Sequence, residues 1–172
     1  MIKIRPATLS DLDALVHLQI EFEKFFQGLE DHYYKIPRSA RRDEIRENNF
    51  GRKKFMRTLV AEITPRNLTI ARGPREHDGT VIGAISFYPG FLNENPPERT
   101  YHFPYLFVEE KFRGPATMAL LNAVKKLAKA ENIKRLVFSV YGRNKPARKL
   151  YEHIGAKYWA ADADEHFMYF DI

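Results

Sequence analysis

The stretch "VEEKFRGPATMALLNAVKKL", Val108–Leu127, decides the fold. It leaves a strand-like end, passes an Arg113-Gly114-Pro115 turn and enters a run with helical spacing. Pro115 suits the first helical position, where no amide is needed. A helix start presents free N–H groups and the positive end of its dipole, which together suit an anion. The sequence leaves the amides of Ala116, Thr117, Met118 and Ala119 available for that use. An ordinary helix start looks the same, so the turn takes its meaning from its surroundings.

Downstream, "KRLVFSVY" (134–141) reads as a strand, "KPARKLYEHI" (145–154) as a helix, and "AKYWAA" and "EHFMYFDI" as closing strands. Upstream, "TYHFPYLFVE" (100–109) is aromatic and β-branched. Pro104 inside it has no amide for a ladder, so it marks a bulge or an edge. "NLTIARG" and "TVIGAISFY" flank Asp78-Gly79, a hairpin turn signal. At the start, Ile2 and Ile4 alternate as in a strand. Ser10 is the expected N-cap of a helix carrying Leu12, Leu15, Val16 and Ile20. "RSARRDEIRENNFGRKKFMRTLVAEI" (38–63) reads as mostly helical, broken near Asn48–Gly51 and closed by Pro65. The order predicts a mixed α/β or α+β sheet covered by helices.

The chain of 172 residues suits one domain, 1–172. No apolar run is long enough to span a bilayer. Cysteine is absent, which excludes disulfides, zinc-thiolate sites and a cysteine nucleophile. The six histidines show no metal-ligand spacing. The start lacks the blocks of a signal peptide, so the expectation is a cytoplasmic soluble domain. With 28 Lys and Arg against 22 Asp and Glu, the net charge of +6 favours anionic partners without choosing among them. The basic runs "RSARRDEIR" and "GRKKFMR" alternate with acids or apolar residues and read as solvated helix faces.

"NKPARKLYEHIGA" (144–156) sharpens the reading. Asn144 is a good N-cap, and Ala147, Leu150, Tyr151 and Ile154 share one helical face. Gly155 follows as a C′ residue. Alone, this is a capped surface helix with Tyr151 in the core. In company, it resembles the N-x-x-A-x-x-L-Y-x-x-x-G-[FA] signature of the GCN5-related N-acetyltransferase (GNAT) superfamily. Asn144, Ala147, Leu150, Tyr151, Gly155 and Ala156 match every fixed position. "LFVEEKFRGPATMALL" resembles that superfamily's acetyl-CoA motif, and "IRPATLSDLDAL" its first strand and helix. The wider layout, with "AISFY" (84–88), is similar to the diamine and thialysine acetyltransferase branch.

The resemblance implies the GNAT fold: a central mixed, mostly antiparallel sheet of six to seven strands, flanked by about four helices, with splayed central strands. It implies an acetyl-CoA-dependent N-acetyltransferase that passes the acetyl group directly to a primary amine. Arg113, Gly114, Pro115, Ala116, Thr117, Met118 and Ala119 would cradle the pyrophosphate. Main chain at Leu106, Phe107 and Val108 would pair with the pantetheine arm as an added strand. Asn144, Ala147 and Tyr151 complete the cofactor side. Tyr151 would be the catalytic acid for the departing thiolate, and the Val108 amide or a neighbour would polarise the carbonyl.

Two positions depart from the family pattern. Relatives carry Gly where this chain has Ala116, and Gly or Ala at Met118. A wider cradle and weaker binding are expected. Some relatives carry a glutamate base near the place of Pro104. His102, Glu94, Glu98, Tyr101 or water remain for that role. "FEKFFQGLEDHYY" (22–34) lies where relatives form the acceptor pocket, and Glu21, Glu23, Glu30 and Asp31 would suit a cationic amine. The aromatic runs "YHFPYLF" and "SFYPGF" pack the core and one wall of an acceptor groove. Acceptors within this reading are a small diamine or amino-acid-like molecule, a protein amine or an aminoacyl-tRNA. Relatives are often dimers, so a homodimer is allowed. The alternative is a non-catalytic CoA-binding or regulatory module whose loop has decayed. A nucleic-acid binder is a third reading, marked by steep salt dependence.

Overall fold

The computed structural model describes residues 1–28, 36–64, 79–92, 98–162 and 164–172, with 91 and 92 described by backbone alone. The elements are β1 (Ile2–Pro6), α1 (Leu12–Gln27), α2 (Arg38–Phe50), β2 (Arg57–Ile63), β3 (Thr80–Leu92), β4 (Glu98–Val108), α3 (Pro115–Ala130), β5 (Arg135–Tyr141), α4 (Lys145–His153), β6 (Lys157–Asp162) and β7 (Glu165–Asp171). Seven strands hydrogen-bond in the order β1-β2-β3-β4-β5-β7-β6. The sheet is mixed, since β4 and β5 run parallel while β5–β7 and β6–β7 are antiparallel. Sheet and four helices match the architecture expected from the sequence.

The chain divides into two compact units, each built from two segments. One comprises Met1–Ser86 with Tyr105–Ala123, the other Phe87–Pro104 with Val124–Ile172.

In the first unit, α1 buries Leu12, Leu15, Val16 and Leu18. Leu15 and Leu18 meet Val60, Ala84 and Tyr105, with Phe22, Ile45 and Phe107 packed around them. β1 and β2 pair antiparallel from Ile2↔Ile63 to Pro6↔Leu59. Residues 57–63, expected to be helical, are therefore a strand. Six consecutive positions there, Thr58–Ile63, are buried. A strand covered on both faces loses its alternation, and periodicity alone cannot tell it from a buried helix. Ser10 is not the cap. A short 3-10 turn, Leu9–Asp11, precedes α1. The Thr8 amide donates to Asp11 Oδ2 at 2.8 Å, so Asp11 reaches back over the helix start. The strand expected at 67–73 and Asp78 of the expected turn lie outside the described residues.

In the second unit, β5 and β7 pair along their whole length, from Arg135↔Asp171 to Tyr141↔Glu165. Phe87, Tyr101, Leu136, Met168 and Phe170 are fully buried. β6 is the outer strand, and all six of its residues are exposed.

One polar cluster in the first unit sets an acid limit on stability. Arg5 Nη1 and Nη2 donate to Asp11 Oδ2 and Oδ1 at 2.7 and 2.9 Å, and Arg5 Nε donates to Glu62 at 2.5 Å. Burial pushes the Asp11 carboxyl up, but the hydrogen bonds and charge of Arg5, with the Thr8 amide, hold it below its ordinary value of 3.8. A depressed folded-state value stabilises the fold above the ordinary value and loses that contribution as pH falls through the lower one. Asp11→Asn should therefore cost about 1–3 kcal/mol at pH 7 and flatten the stability loss below pH 4, read by urea unfolding across pH.

Candidate active site

The expected phosphate cradle lies in the first unit, where β4 leads into α3. A single 3-10 turn, Glu110–Phe112, is followed by extended Arg113. Gly114 then takes a φ of +87°, and an added Cβ would meet nothing within 4 Å. Glycine is needed there for its backbone and not for space. The Arg113 guanidinium lies 5.8 and 5.7 Å from the ring centroids of Phe25 and Phe107. Its Nε donates to the Val108 carbonyl at 3.2 Å. Among the described residues Arg113 has no carboxylate partner, which leaves its outer nitrogens for an anion.

The α3 start offers fewer amides than the sequence suggests. Met118 N–H already donates to the Gly114 carbonyl at 2.9 Å, and Ala119 is the next rung of the helical ladder. Ala116 and Thr117 keep amides with no acceptor among the described residues. Both residues are buried, with Ala116 at 0% exposure, so these unpaired amides sit beneath the surface. Met118 and Ala119 are half-buried. Two amides without an acceptor, a guanidinium without a carboxylate partner among the described residues and a left-handed glycine fit a diphosphate.

The α4 signature residues lie in the second unit. Asn144 caps α4, its side-chain oxygen accepting from the Ala147 amide at 3.2 Å. Gly155, with a φ of +92°, follows the helix. Ala147, Tyr151 and Ile154 are half-buried as the spacing predicts, but Leu150 is exposed, at the rim of that face. The Tyr151 ring packs on Phe138 at 4.6 Å and on Phe103 at 6.4 Å between centroids. Its hydroxyl has no hydrogen-bond partner among the described residues. Burial pushes the phenol pKa well up from 10.0, so it stays protonated through the neutral range.

The parallel β4–β5 ladder holds only three pairs, Thr100↔Arg135, Tyr101↔Leu136 and His102↔Val137. Pro104 lies two residues beyond, in the interior of the sheet order and not at its edge. Where the ladder stops, a cavity of about 370 Å³ opens. Tyr88, His102, Phe103, Pro104, Val137, Phe138, Ser139, Trp159, Ala160 and Phe167 line it. His102 stacks on Tyr88 at 5.5 Å with 16° between the rings. Burial lowers the imidazole pKa below 6.5.

The acetyltransferase (GNAT) family pattern matches residues 23–156. The chain belongs to that family. Thialysine N-epsilon-acetyltransferase of Mus musculus is 25% identical to this family member over 154 residues, covering 89% of this chain and 81% of that protein. Among solved structures, the PaiA N-acetyltransferase of Thermoplasma acidophilum in complex with coenzyme A aligns with a TM-score of 0.67 at 18% identity, covering 100% of this chain and 99% of that one. NAA60 of Arabidopsis thaliana, in complex with a bisubstrate analogue, aligns at 0.70 and 16%, covering 99% and 98%. At such identities the two structures speak for the fold.

Several residues of this family member depart from the sequence reading. Glu23 is buried and paired with Arg41 of α2, which is itself buried and not part of a solvated face. Glu21 pairs with Lys24. Neither acid stands free for an amine, and Glu30, Asp31 and Glu94 lie outside the described residues. Trp159, Ser139 and Phe167 escaped notice. The available signal was the adjacent pair Tyr158-Trp159, which breaks strand alternation: Tyr158 pairs with Met168 and Ala160 with Phe167, leaving Trp159 as the extra residue of a bulge.

The turn before α3 makes a direct stability prediction. Gly114→Ala should cost about 1–2 kcal/mol from backbone conformation alone. Gly114→Asn should cost less, because Asn tolerates the left-handed region. Urea midpoints of the two variants provide the check.

Proposed function

We propose that residues 1–172 act as one N-acetyltransferase domain, moving the acetyl group of acetyl-CoA directly to a primary amine. The observation that carries this reading is the pair of unpaired amides at Ala116 and Thr117 behind left-handed Gly114, beside an Arg113 with no acid partner among the described residues. That set is built for a diphosphate. The coenzyme A bound in the Thermoplasma relative supports it.

In this reading Arg113, Gly114, Pro115 and the Ala116 and Thr117 amides hold the phosphates, with Met118 and Ala119 behind them. Backbone groups of Leu106, Phe107 and Val108 would align the pantetheine arm, and the amide of Val108 or a neighbour would polarise the thioester carbonyl. Asn144 fixes the start of α4, and Ala147 and Tyr151 lie along its inner face. Acetyl-CoA supplies an activated acyl group. Tyr151 keeps its proton at the sulfur position and releases it as the thiolate leaves. Its raised pKa makes it a reservoir that does not empty near neutrality.

Acetyl-CoA should give saturable heat in a calorimeter, and an amine panel should then release free thiol. Tyr151→Phe should keep the heat and lower kcat by about 10²–10⁴. Because burial raises the phenol pKa, the wild type should show no loss from Tyr151 ionisation as pH rises toward 10.0. Heat without thiol from any amine would point to a binding module. No heat, or an unchanged kcat in Tyr151→Phe, would contradict the reading.

A further inference from the structure

We propose that the second unit's cavity receives the acceptor as a primary monoamine carried on an aromatic or apolar body, and that His102 takes its ammonium proton. This rests on the transferase reading above and adds the acceptor class and the base.

The cavity of about 370 Å³ has room for a small molecule. Tyr88, Pro104, Phe138, Trp159 and Phe167 give it apolar walls, and none of its lining residues is Asp, Glu, Lys or Arg. One ammonium can sit against aromatic faces. A second ammonium, as in a diamine, would meet no carboxylate among those lining residues and would lose its hydration uncompensated. The bulge in β6 matters here. It places Trp159, the single tryptophan of the chain, on the cavity wall while the strand as a whole stays exposed.

His102 is set into this wall with care. A Cβ on Gly90 would lie 2.6 Å from its Cδ2 and 2.7 Å from its Nε2, so β3 carries glycine where the imidazole lies. Tyr88 covers one ring face. Desolvation keeps the ring neutral near pH 7, ready to accept a proton. By strand alternation the charged groups on the same face are Glu98, Arg135, Asp171, Lys157, Asp162 and Glu165, with Arg135 tied to Glu98 and Asp171, and Lys157 to Asp171. Phe103 and Phe138 form the floor, and Tyr151 packs against both. Base and acid thus stand near opposite sides of the same two rings.

The proton balance closes. The ammonium gives one proton to His102, which passes it to water. The amine lone pair forms the C–N bond and the C–S bond breaks. Tyr151 gives its proton to sulfur, the second proton leaving nitrogen passes to water, and water reprotonates the phenolate.

The test combines binding and turnover on the full chain. 2-Phenylethylamine should change Trp159 fluorescence saturably even without acetyl-CoA, and 1,4-diaminobutane should not. In thiol release, kcat/KM for 2-phenylethylamine should exceed that for 1,4-diaminobutane at least tenfold. His102→Ala and the better size match His102→Gln should both lower kcat near pH 7 by about 10²–10⁴. The loss should shrink as pH approaches the amine's own pKa, because the neutral amine then needs no base. Gly90→Ala should reproduce part of it by displacing the imidazole. Thiol release favouring the diamine with silent Trp159 overturns this inference and leaves the transferase reading standing. A His102 loss equal at every pH removes the base. A Trp159 response with no thiol from any amine defeats the transferase reading and the base together, and upholds the ligand class.

Discussion

The parallel ladder between β4 and β5 runs for three pairs and stops at His102↔Val137. Pro104 follows two residues later, with no amide to continue it. In a sheet interior such a stop leaves unpaired backbone and a gap, both of which cost stability unless something fills them. The second unit fills the gap with rings. Phe103 and Phe138 stack at 4.4 Å and 23°, and Phe138 continues onto Phe170 at 5.4 Å. Their one side supports Tyr151, and their other side floors the cavity. The break that weakens the sheet is therefore what makes room for chemistry.

The first unit meets a different constraint, the unsatisfied start of a helix. Gly114 turns the chain into the left-handed region, Pro115 opens α3 without an amide, and Met118 closes the first rung onto Gly114. Two amides remain. Ala116 stands where a glycine was expected, and the whole residue is buried. Arg113 is steadied by two aromatic rings and by the Val108 carbonyl, which presets its direction before any anion arrives. Preorganisation of this kind lowers the ordering cost of binding.

Much of this was legible in the sequence. Asn144, Ala147, Tyr151 and Gly155 announced α4 because capping chemistry and helical spacing are local properties. Pro115 marked the start of α3 for the same reason. β2 was not legible, since burial on both faces erases the alternation that identifies a strand. Arg41 looked like part of a solvated basic face, because nothing local reveals that Glu23 of α1 waits for it. Ser10 is displaced as the cap because a 3-10 turn precedes α1 and Asp11, tied to Arg5 of β1, stands at the helix start. Trp159 was hidden by its setting in an exposed outer strand, where only a bulge turns it toward the cavity.

Hydrogen exchange of the full chain, with and without acetyl-CoA, tests most directly the claim that the cofactor binds where the backbone is left unpaired. The account predicts slowed exchange concentrated at the amides of Leu106–Val108, Ala116 and Thr117, with α2 unchanged. Protection spread evenly over the chain, or absent from those amides despite bound acetyl-CoA, would contradict it.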